Sequence, residues 1–499
     1  MFRNRGRERF FYTDVVSANQ DQWLARIASI GRLRASLASP ALGGAARSLA
    51  AAAHGSVPRI GTLQAARELS VRSTRPIGLR LHLDLGVAAL GRLRGSLVAP
   101  ALGGVARLTT TSGGRLPPIP KLRAVIEVLS VHEQHARSMR PKDLSSCWNR
   151  LAKLVKSEAQ QRKWLRDRLR REPTLLQPLL DATLQQLPRF EPWPLSNTTH
   201  GLATLVDKAR LVVDEVTWER LAARSVESMG AFNPQDLANT AWAFAKTGQA
   251  SPALFEAIVA ASVPRLRDFK PQELANTAWS FATAGHASPA LFEAIAAASV
   301  PRLRDFNPQA LANTAWAYAA LDAPSAALFG DSRFVDGVVA VERAFSSAQL
   351  SQLHQWLLWH EERGEAWPRL PAPLAERCRA AFCAVEGAPS RLQRDVVRAL
   401  SALGWQPREE VRTDQGYSLD AVVRVDGRDV GVEVDGPSHF VGREPTGATM
   451  LKRRQLRAAG WPLLAVPYWE WNELKGDAAR QSEYLSKGVR EVVAAAPAA

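Results

Sequence analysis

Asparagine recurs at one position of a repeated sequence, at Asn239, Asn276 and Asn313, and threonine follows it each time. The amide side chain offers a donor and an acceptor, so it can pair with the edge of a nucleotide base. One helical repeat for each base is an established scheme of RNA recognition, and this spacing fits it. Alternatively, the amides cap or cross-link neighbouring helices inside a stack, because alanine and tryptophan flank them. The uniformity of the position favours the structural role, since base-reading side chains vary between repeats.

Two pairs of arginines recur one period apart, Arg265 with Arg267 and Arg302 with Arg304. Neutralised phosphates release counterions, so such pairs predict ridges that face an RNA backbone. Positions beside the asparagines differ from one repeat to the next, which favours them as base contacts. These varying positions are Asp236, Glu273, Ala310, Lys246 and Thr283.

The repeat that carries these residues has a period of 37, marked by Phe232, Phe269 and Phe306. In each copy, proline two positions later opens a helix in which Leu, Trp and Ala recur at helical spacing. A second helix follows, as at 251–258. Degenerate copies extend the array to about six units over residues 135–385, which predicts an α-solenoid of helix-pair repeats. The Trp and Phe side chains are predicted to form its core.

Residues 388–490 predict an α/β domain with three acidic side chains on neighbouring strands. Asp420 lies on the first strand of an expected hairpin, and Glu433 and Asp435 lie on the second. The two-residue spacing places Glu433 and Asp435 on one face, and the hairpin brings Asp420 alongside. The expected order is helix, strand, strand, basic helix and strand, at 390–403, 417–425, 430–435, 449–458 and 463–467.

The charge of the chain is concentrated at its start. The formal net charge is +16 over 499 residues, yet residues 1–120 hold 17 Arg, no Lys and only five acids. That composition is typical of a mitochondrial or chloroplast transit peptide. A duplicated low-complexity segment is the alternative, because Gly31–Leu37 returns sixty positions on as Gly91–Leu97.

Cysteine usage and hydrophobicity exclude several classes of protein. Cys147, Cys378 and Cys383 are too few for a disulfide framework, and their spacing does not favour zinc. We therefore expect a reducing compartment. No run approaches eighteen apolar residues, so no membrane insertion is expected.

The C-terminal segment resembles the RAP domain almost position by position. The resemblance rests on Val432–Phe440, with the run Val-Glu-Val-Asp-Gly-Pro-Ser-His-Phe, on Leu451–Arg454, and on Val466–Tyr468. The core of the resemblance spans residues 430–488. The repeats in turn resemble the octotricopeptide and Fas-activated serine/threonine kinase-like arrays that accompany RAP domains.

This resemblance implies an organellar RNA-binding protein that acts in RNA processing, RNA stability or rRNA maturation. The mitochondrial matrix is the preferred location and the chloroplast the alternative. Organellar mRNA or rRNA is the expected partner, together with ribonucleoprotein or ribosome-assembly proteins. A protein-interaction scaffold stays open, because helical arrays also bind proteins. The residues expected to contact RNA are Arg265, Arg267, Arg302, Arg304, His439, Lys452, Arg453 and Arg454.

RAP domains also resemble a reduced PD-(D/E)XK nuclease, which implies a second candidate function. In such nucleases, carboxylates on adjacent strands hold Mg²⁺ against the scissile phosphate. The resemblance would make Asp420, Glu433 and Asp435 the metal ligands of an endoribonuclease. Asp435 stands where the pattern has lysine, so Lys452 of the following helix would have to replace that lysine. His439 would serve as a general acid or base. RNA binding without chemistry is the favoured function and requires no cofactor.

Overall fold

A computed structural model of the chain describes residues 116–249, 251–385 and 387–495. The Arg-rich segment and its duplication, up to residue 115, lie outside the described residues. The described residues all belong to one compact unit. Within the described ranges, no helix is both long and apolar enough to span a bilayer.

Helix pairs fill the first two thirds of the described chain, after an opening helix α1 (Val125–His135). The first helix of each pair packs side by side with the first helix of the next pair. These first helices are α2 (Pro141–Ser157), α5 (Pro192–Ala209), α7 (Pro234–Thr247), α9 (Pro271–Ala284), α11 (Pro308–Ala320) and α14 (Ser347–Arg363). The helices that complete the pairs are α3 (Ala159–Arg171) with α4 (Gln177–Gln186), α6 (Glu215–Ser228), α8 (Pro252–Ser262), α10 (Pro289–Ser299), α12 (Ala326–Phe329) with α13 (Arg333–Ala340), and α15 (Ala372–Cys383).

Local sequence sets the ends of these helices. Proline stands at the first helical position of α7, α8, α9, α10 and α11, where its missing N–H costs no hydrogen bond. Asn233 precedes α7, and its side chain accepts a hydrogen bond from the Asp236 amide at 2.9 Å. Gly248 and Gly285 end α7 and α9 in the left-handed conformation that glycine adopts without strain. Each repeat is therefore a helix–turn–helix unit, as predicted.

The recurring phenylalanine holds successive units together. Phe232 and Phe269 are fully buried and Phe306 is 3% exposed. Burying each ring contributes roughly 2–3 kcal/mol. The tryptophans were predicted to be core residues as well, but Trp242 and Trp279 are only partly buried. Only part of the aromatic stripe is therefore core, because the first helix presents its tryptophan at the edge of the buried face.

The C-terminal segment folds as a four-stranded sheet in the order β1-β2-β3-β6. Neighbouring strands run antiparallel except β3 and β6, which are parallel. The strands of the sheet are β1 (Arg408–Arg412), β2 (Ser418–Val425), β3 (Arg428–Asp435) and β6 (Leu463–Pro467), and a separate hairpin consists of β4 (Phe440–Val441) and β5 (Glu444–Pro445). The prediction missed β1 and the β4–β5 hairpin, since neither has a long alternating pattern.

Helices cover both faces of this sheet. They are α16 (Arg391–Ala402), α17 (Gly447–Ala458), α18 (Tyr468–Glu473) and α19 (Ala478–Ala495). On one face, Val396 of α16 and Leu485 of α19 join a core with Val432 and Val466. On the other, Leu456 of α17 packs with Leu463. Because β3 alternates, Glu433 and Asp435 point away from the first core and towards α17.

The sheet domain rests against the C-terminal ends of three first helices, α9, α11 and α14, through helix α17. A Cβ placed on Gly447 would lie 1.8 Å from the Ala282 carbonyl oxygen, so only glycine fits there. The Arg454 guanidinium donates to the carbonyls of Ala319 (2.5 Å) and Ala320 (3.3 Å), where α11 ends. The helix array and the sheet domain are thus packed together through both polar and close backbone contacts.

Candidate nucleic-acid interface

The acidic groups of the sheet face the basic helix α17. Lys452 donates to Oε2 of Glu433 at 2.6 Å and to the carbonyl of Ser418 at 2.8 Å. The Glu433 side chain is 4% exposed. Burial raises the pKa of Glu433 to about 7, although the Lys452 charge opposes that rise. Lys452 therefore lies beside Glu433, and its role as the cation of the nuclease pattern stays a prediction.

Asp420 has a different partner. Its Oδ2 accepts a hydrogen bond from the Val434 amide at 2.7 Å, across the β2–β3 pair. Burial raises the pKa of Asp420, and the Val434 hydrogen bond only partly offsets this rise. Glu410 of β1, which the sequence did not single out, adds to the negative charge near Asp420 and accepts from Gln393 at 2.9 Å.

The Asp435 side chain is 2% exposed and contacts the guanidinium of Arg453 and the imidazole of His439. The His439 Nδ1 lies 2.9 Å from the carboxylate. Burial raises the pKa of Asp435, but the hydrogen bond from His439 and the charge of Arg453 outweigh burial and bring it below its ordinary value.

The three predicted metal ligands therefore have separate partners. Asp420 binds a backbone amide, Glu433 binds a lysine, and Asp435 binds an arginine and a histidine. Within residues 116–249, 251–385 and 387–495, no three His, Cys, Asp or Glu side chains are grouped so that they could hold a metal ion. Two of the three acids are paired with α17, and the binding of Mg²⁺ by all three stays a prediction.

Most of the basic residues expected at RNA have protein partners. Lys452 and Arg453 pair with acids of β3, and their side chains are 24% and 15% exposed. Arg454 pairs with Glu362 at 2.7 Å and caps the end of α11, so it holds the sheet domain to the array. His439 is the most open of the four, with 42% of its side chain exposed. Their contact with RNA stays a prediction.

The predicted arginine ridges divide into two kinds. Arg265 donates to the carbonyl of Phe232 at 3.0 Å, and Arg302 donates to the carbonyl of Phe269 at 2.7 Å. Each thus ties one unit to the unit before it. Arg224, which the sequence did not single out, makes the same contact to the Phe190 carbonyl at 2.9 Å. Arg267 and Arg304 are exposed and stay candidates for RNA contact.

Two members of the asparagine series, Asn276 and Asn313, form a hydrogen bond between units. Asn313 donates to Asn276 at 3.4 Å and accepts from Gln352 of the next unit at 3.1 Å. This geometry favours the cross-linking interpretation over base reading. The varying positions nearby were predicted to contact RNA, but Asp236 and Ala310 are 3% and 1% exposed. The prediction was wrong for these two, because they lie in the buried first turn of their helices.

A group of lysines, of which the sequence analysis named only Lys246, lies along the C-terminal halves of α2, α5 and α7. These exposed residues, the basic row, are Lys153, Lys156, Lys208 and Lys246. Lys208 and Lys246 both contact Asp207, at 2.9 Å and 3.3 Å. Lys153 and Lys156 lie near His200. Burial, together with the positive charges of these lysines, lowers the pKa of His200 to about 4.

Aromatic rings accompany the basic row. The neutral His200 ring lies 4.8 Å from the Trp242 ring, centroid to centroid. Further along the array, Trp279 lies 6.3 Å from Trp316. Cations interleaved with aromatic rings are the usual composition of a surface that binds single-stranded nucleic acid.

Comparison with known proteins identifies the C-terminal part of the chain. Residues 432–487 match the RAP domain family. A "RAP domain-containing protein, chloroplastic" from Oryza sativa subsp. japonica is 41% identical over 100 residues, which are 20% of this chain. Those residues span only 15% of the rice protein. The family match includes the end of β3 and all of α17, which carry the ion pairs described above, as well as β6 and α18. This chain therefore carries a RAP domain at residues 432–487, behind an array of packed helix pairs.

Proposed function

We propose that the chain binds single-stranded RNA along the C-terminal ends of its first helices. The observation that carries this proposal is the basic row, which lies beside His200 and Trp242 on the ends of α2, α5 and α7. The RAP domain covers the corresponding ends of α9, α11 and α14. RNA bound along the lysines would therefore extend towards the RAP domain.

Salt dependence and a matched pair of variants test this proposal. For single strands, the logarithm of affinity falls with the logarithm of salt by about 0.7 per neutralised phosphate. We expect the double variant Lys156→Ala/Lys246→Ala to lose about tenfold in affinity and to show a shallower salt slope. Arg267→Ala/Arg304→Ala is the control, because it removes two exposed cations elsewhere on the array.

Filter binding of the full chain to a single-stranded RNA pool gives both quantities. If only Arg267→Ala/Arg304→Ala weakens binding, the RNA follows the surface that carries Arg267 and Arg304 instead of the basic row. If the wild-type chain binds RNA at no salt concentration, the array is a protein scaffold and the proposal fails.

The proposed site of action is an organelle. Support comes from the Arg-rich, Lys-free composition of residues 1–120. The name of the rice relative points to the chloroplast and lends no support to the expected preference for mitochondria. A fluorescent reporter fused behind residues 1–120 should enter plastids or mitochondria. A fusion that stays in the cytosol would show that this segment is not a targeting signal.

Metal-dependent cleavage of RNA is the second candidate function. The contact between Lys452 and Glu433 favours it, because it supplies the cation that the nuclease pattern requires. The antiparallel β1–β2–β3 arrangement with a parallel β6 supports a reduced PD-(D/E)XK fold. If Mg²⁺ binds, Asp420, Glu433 and Asp435 would hold it, and it would stabilise charge on the phosphate. The separate partners of these acids argue for slow cleavage or none.

A cleavage assay distinguishes this candidate from RNA binding alone. Purified protein is incubated with RNA and Mg²⁺ or Mn²⁺, and the products are separated by size. Rapid cleavage that disappears in both Asp420→Ala and Glu433→Ala, with unchanged circular dichroism, would establish the nuclease.

A further inference from the structure

Three aromatic rings meet where β3 and β6 end. Trp469 is the second residue of α18, which begins directly after β6, and its ring lies 4.3 Å from Phe440 and 5.2 Å from Tyr468. Asp435, the last residue of β3, is in register with Pro467 of β6. The rings thus lie at the carboxyl edge of two parallel strands, the position at which open α/β sheets bind ligands. Trp469 and Tyr468 are only partly buried.

Two cationic or polar groups accompany these rings. The Arg443 guanidinium is exposed and lies over the Trp469 ring at 5.9 Å, near the limit of a cation–π contact. In the described part of the chain, Arg443 has no acidic partner. His439 is held at Nδ1 by Asp435, and within the same ranges its Nε2 makes no hydrogen bond. Both groups are therefore available to an anion.

This edge adjoins the basic row. A Cβ placed on Gly248, at the end of α7, would lie 3.6 Å from the Phe440 carbonyl oxygen. Lys246, the last cation of the row, precedes Gly248 by two residues. A single-stranded RNA that follows the lysines across α2, α5 and α7 therefore reaches the β4–β5 hairpin and then Trp469.

We propose that the carboxyl edge of β3 and β6 is a nucleotide-binding subsite, in which Trp469 stacks on one RNA base and Arg443 and His439 contact the adjacent phosphate. The inference rests on the proposed RNA binding and specifies the part of the RAP domain that binds the RNA. The base takes the place of the Arg443 guanidinium over the indole, and the guanidinium turns to the phosphate. The subsite accepts any base, because every base offers a face for stacking.

Two probes separate base stacking from phosphate binding: a single-stranded RNA oligomer, and an abasic oligomer of equal length with the same ribose-phosphate backbone. With the full chain, Trp469→Ala should weaken binding of the RNA by about 5- to 100-fold and leave the abasic oligomer unaffected. Trp469→Phe should retain most of the affinity. Trp193→Ala, which removes an exposed tryptophan at the opposite end of a first helix, should change neither probe.

Arg443→Ala provides an independent measurement, because Arg443 is exposed and its removal breaks no ion pair in the described part of the chain. It should weaken binding of both probes several-fold. Wild-type affinity for RNA in both Trp469→Ala and Arg443→Ala would overturn the subsite while leaving the proposed function intact. A wild-type chain that binds neither probe would overturn the proposed function, and the subsite with it.

Discussion

Lys452 and Glu433 join the basic helix to the sheet of the RAP domain, with 2.6 Å between the ammonium nitrogen and Oε2. Lys452 also donates to the Ser418 carbonyl, so one lysine binds two strands. The carboxylate is almost fully buried, which makes its protonation state a determinant of stability. We therefore expect the stability of the RAP domain to depend on pH through Glu433.

The first prediction is that Glu433 makes the RAP domain less stable as pH rises. The folded-state pKa of Glu433 is about 7, above its ordinary value of 4.5. The stability that the bound proton contributes is complete below pH 4.5 and is lost as pH rises through 7. Over this range wild type should lose up to about 3 kcal/mol relative to Glu433→Gln. Denaturant titrations of both proteins at pH 5 and pH 8 measure the difference.

The Glu433→Gln protein is itself the control, because all other titrating groups are present in both chains. Parallel pH profiles for the two proteins would contradict the prediction. They would mean that Lys452 holds Glu433 ionised throughout the range.

The second prediction concerns the asparagine series. Asn313→Ala should destabilise the array by about 1–3 kcal/mol, because Gln352 and Asn276 lose their shared partner in a partly buried position. Asn239→Ala is the matched control: it occupies the same repeat position, and within the described ranges its side chain makes no hydrogen bond. Thermal melting compares the two. A changed RNA base preference without a change in melting would instead support base reading.

The third prediction is that Arg454 holds the RAP domain to the array. Arg454→Ala removes the ion pair with Glu362 and exposes the carbonyls that end α11. We expect a loss of about 1–3 kcal/mol and faster amide hydrogen exchange in the last turn of α11. Arg457→Ala, on the exposed side of the same helix, should leave exchange there unchanged. Equal exchange in the two variants would show that the contact does not hold the domain.

The fourth prediction tests the close approach at Gly447. Gly447→Ala would place a methyl group 1.8 Å from the Ala282 carbonyl oxygen, so α17 must move away from the end of α9. Overpacking of this kind costs roughly 1–3 kcal/mol or more. Limited proteolysis should then cut between the array and the RAP domain sooner than in wild type. Gly230→Ala, whose Cβ would meet no atom within 4 Å, should be cut at the wild-type rate.

The sequence by itself determined the helix pairs and the RAP domain. Proline at the start of helices, glycine at their ends and a phenylalanine every 37 residues are local signals, and each acts within a few residues of its own position. The hairpin of β2 and β3 was predictable for the same reason, since alternation and a polar turn define it. Short elements such as β1 and the β4–β5 hairpin carry too few residues to show a period.

Only the tertiary structure decided the partners of charged side chains. Lys452, Arg453 and Arg454 are consecutive in sequence, yet they contact Glu433, Asp435 and the end of α11, respectively. Helical geometry sends neighbouring residues in different directions, and what lies in each direction belongs to distant parts of the chain. The same reason hid three of the four lysines of the basic row: they come together with Lys246 because first helices of successive units pack side by side.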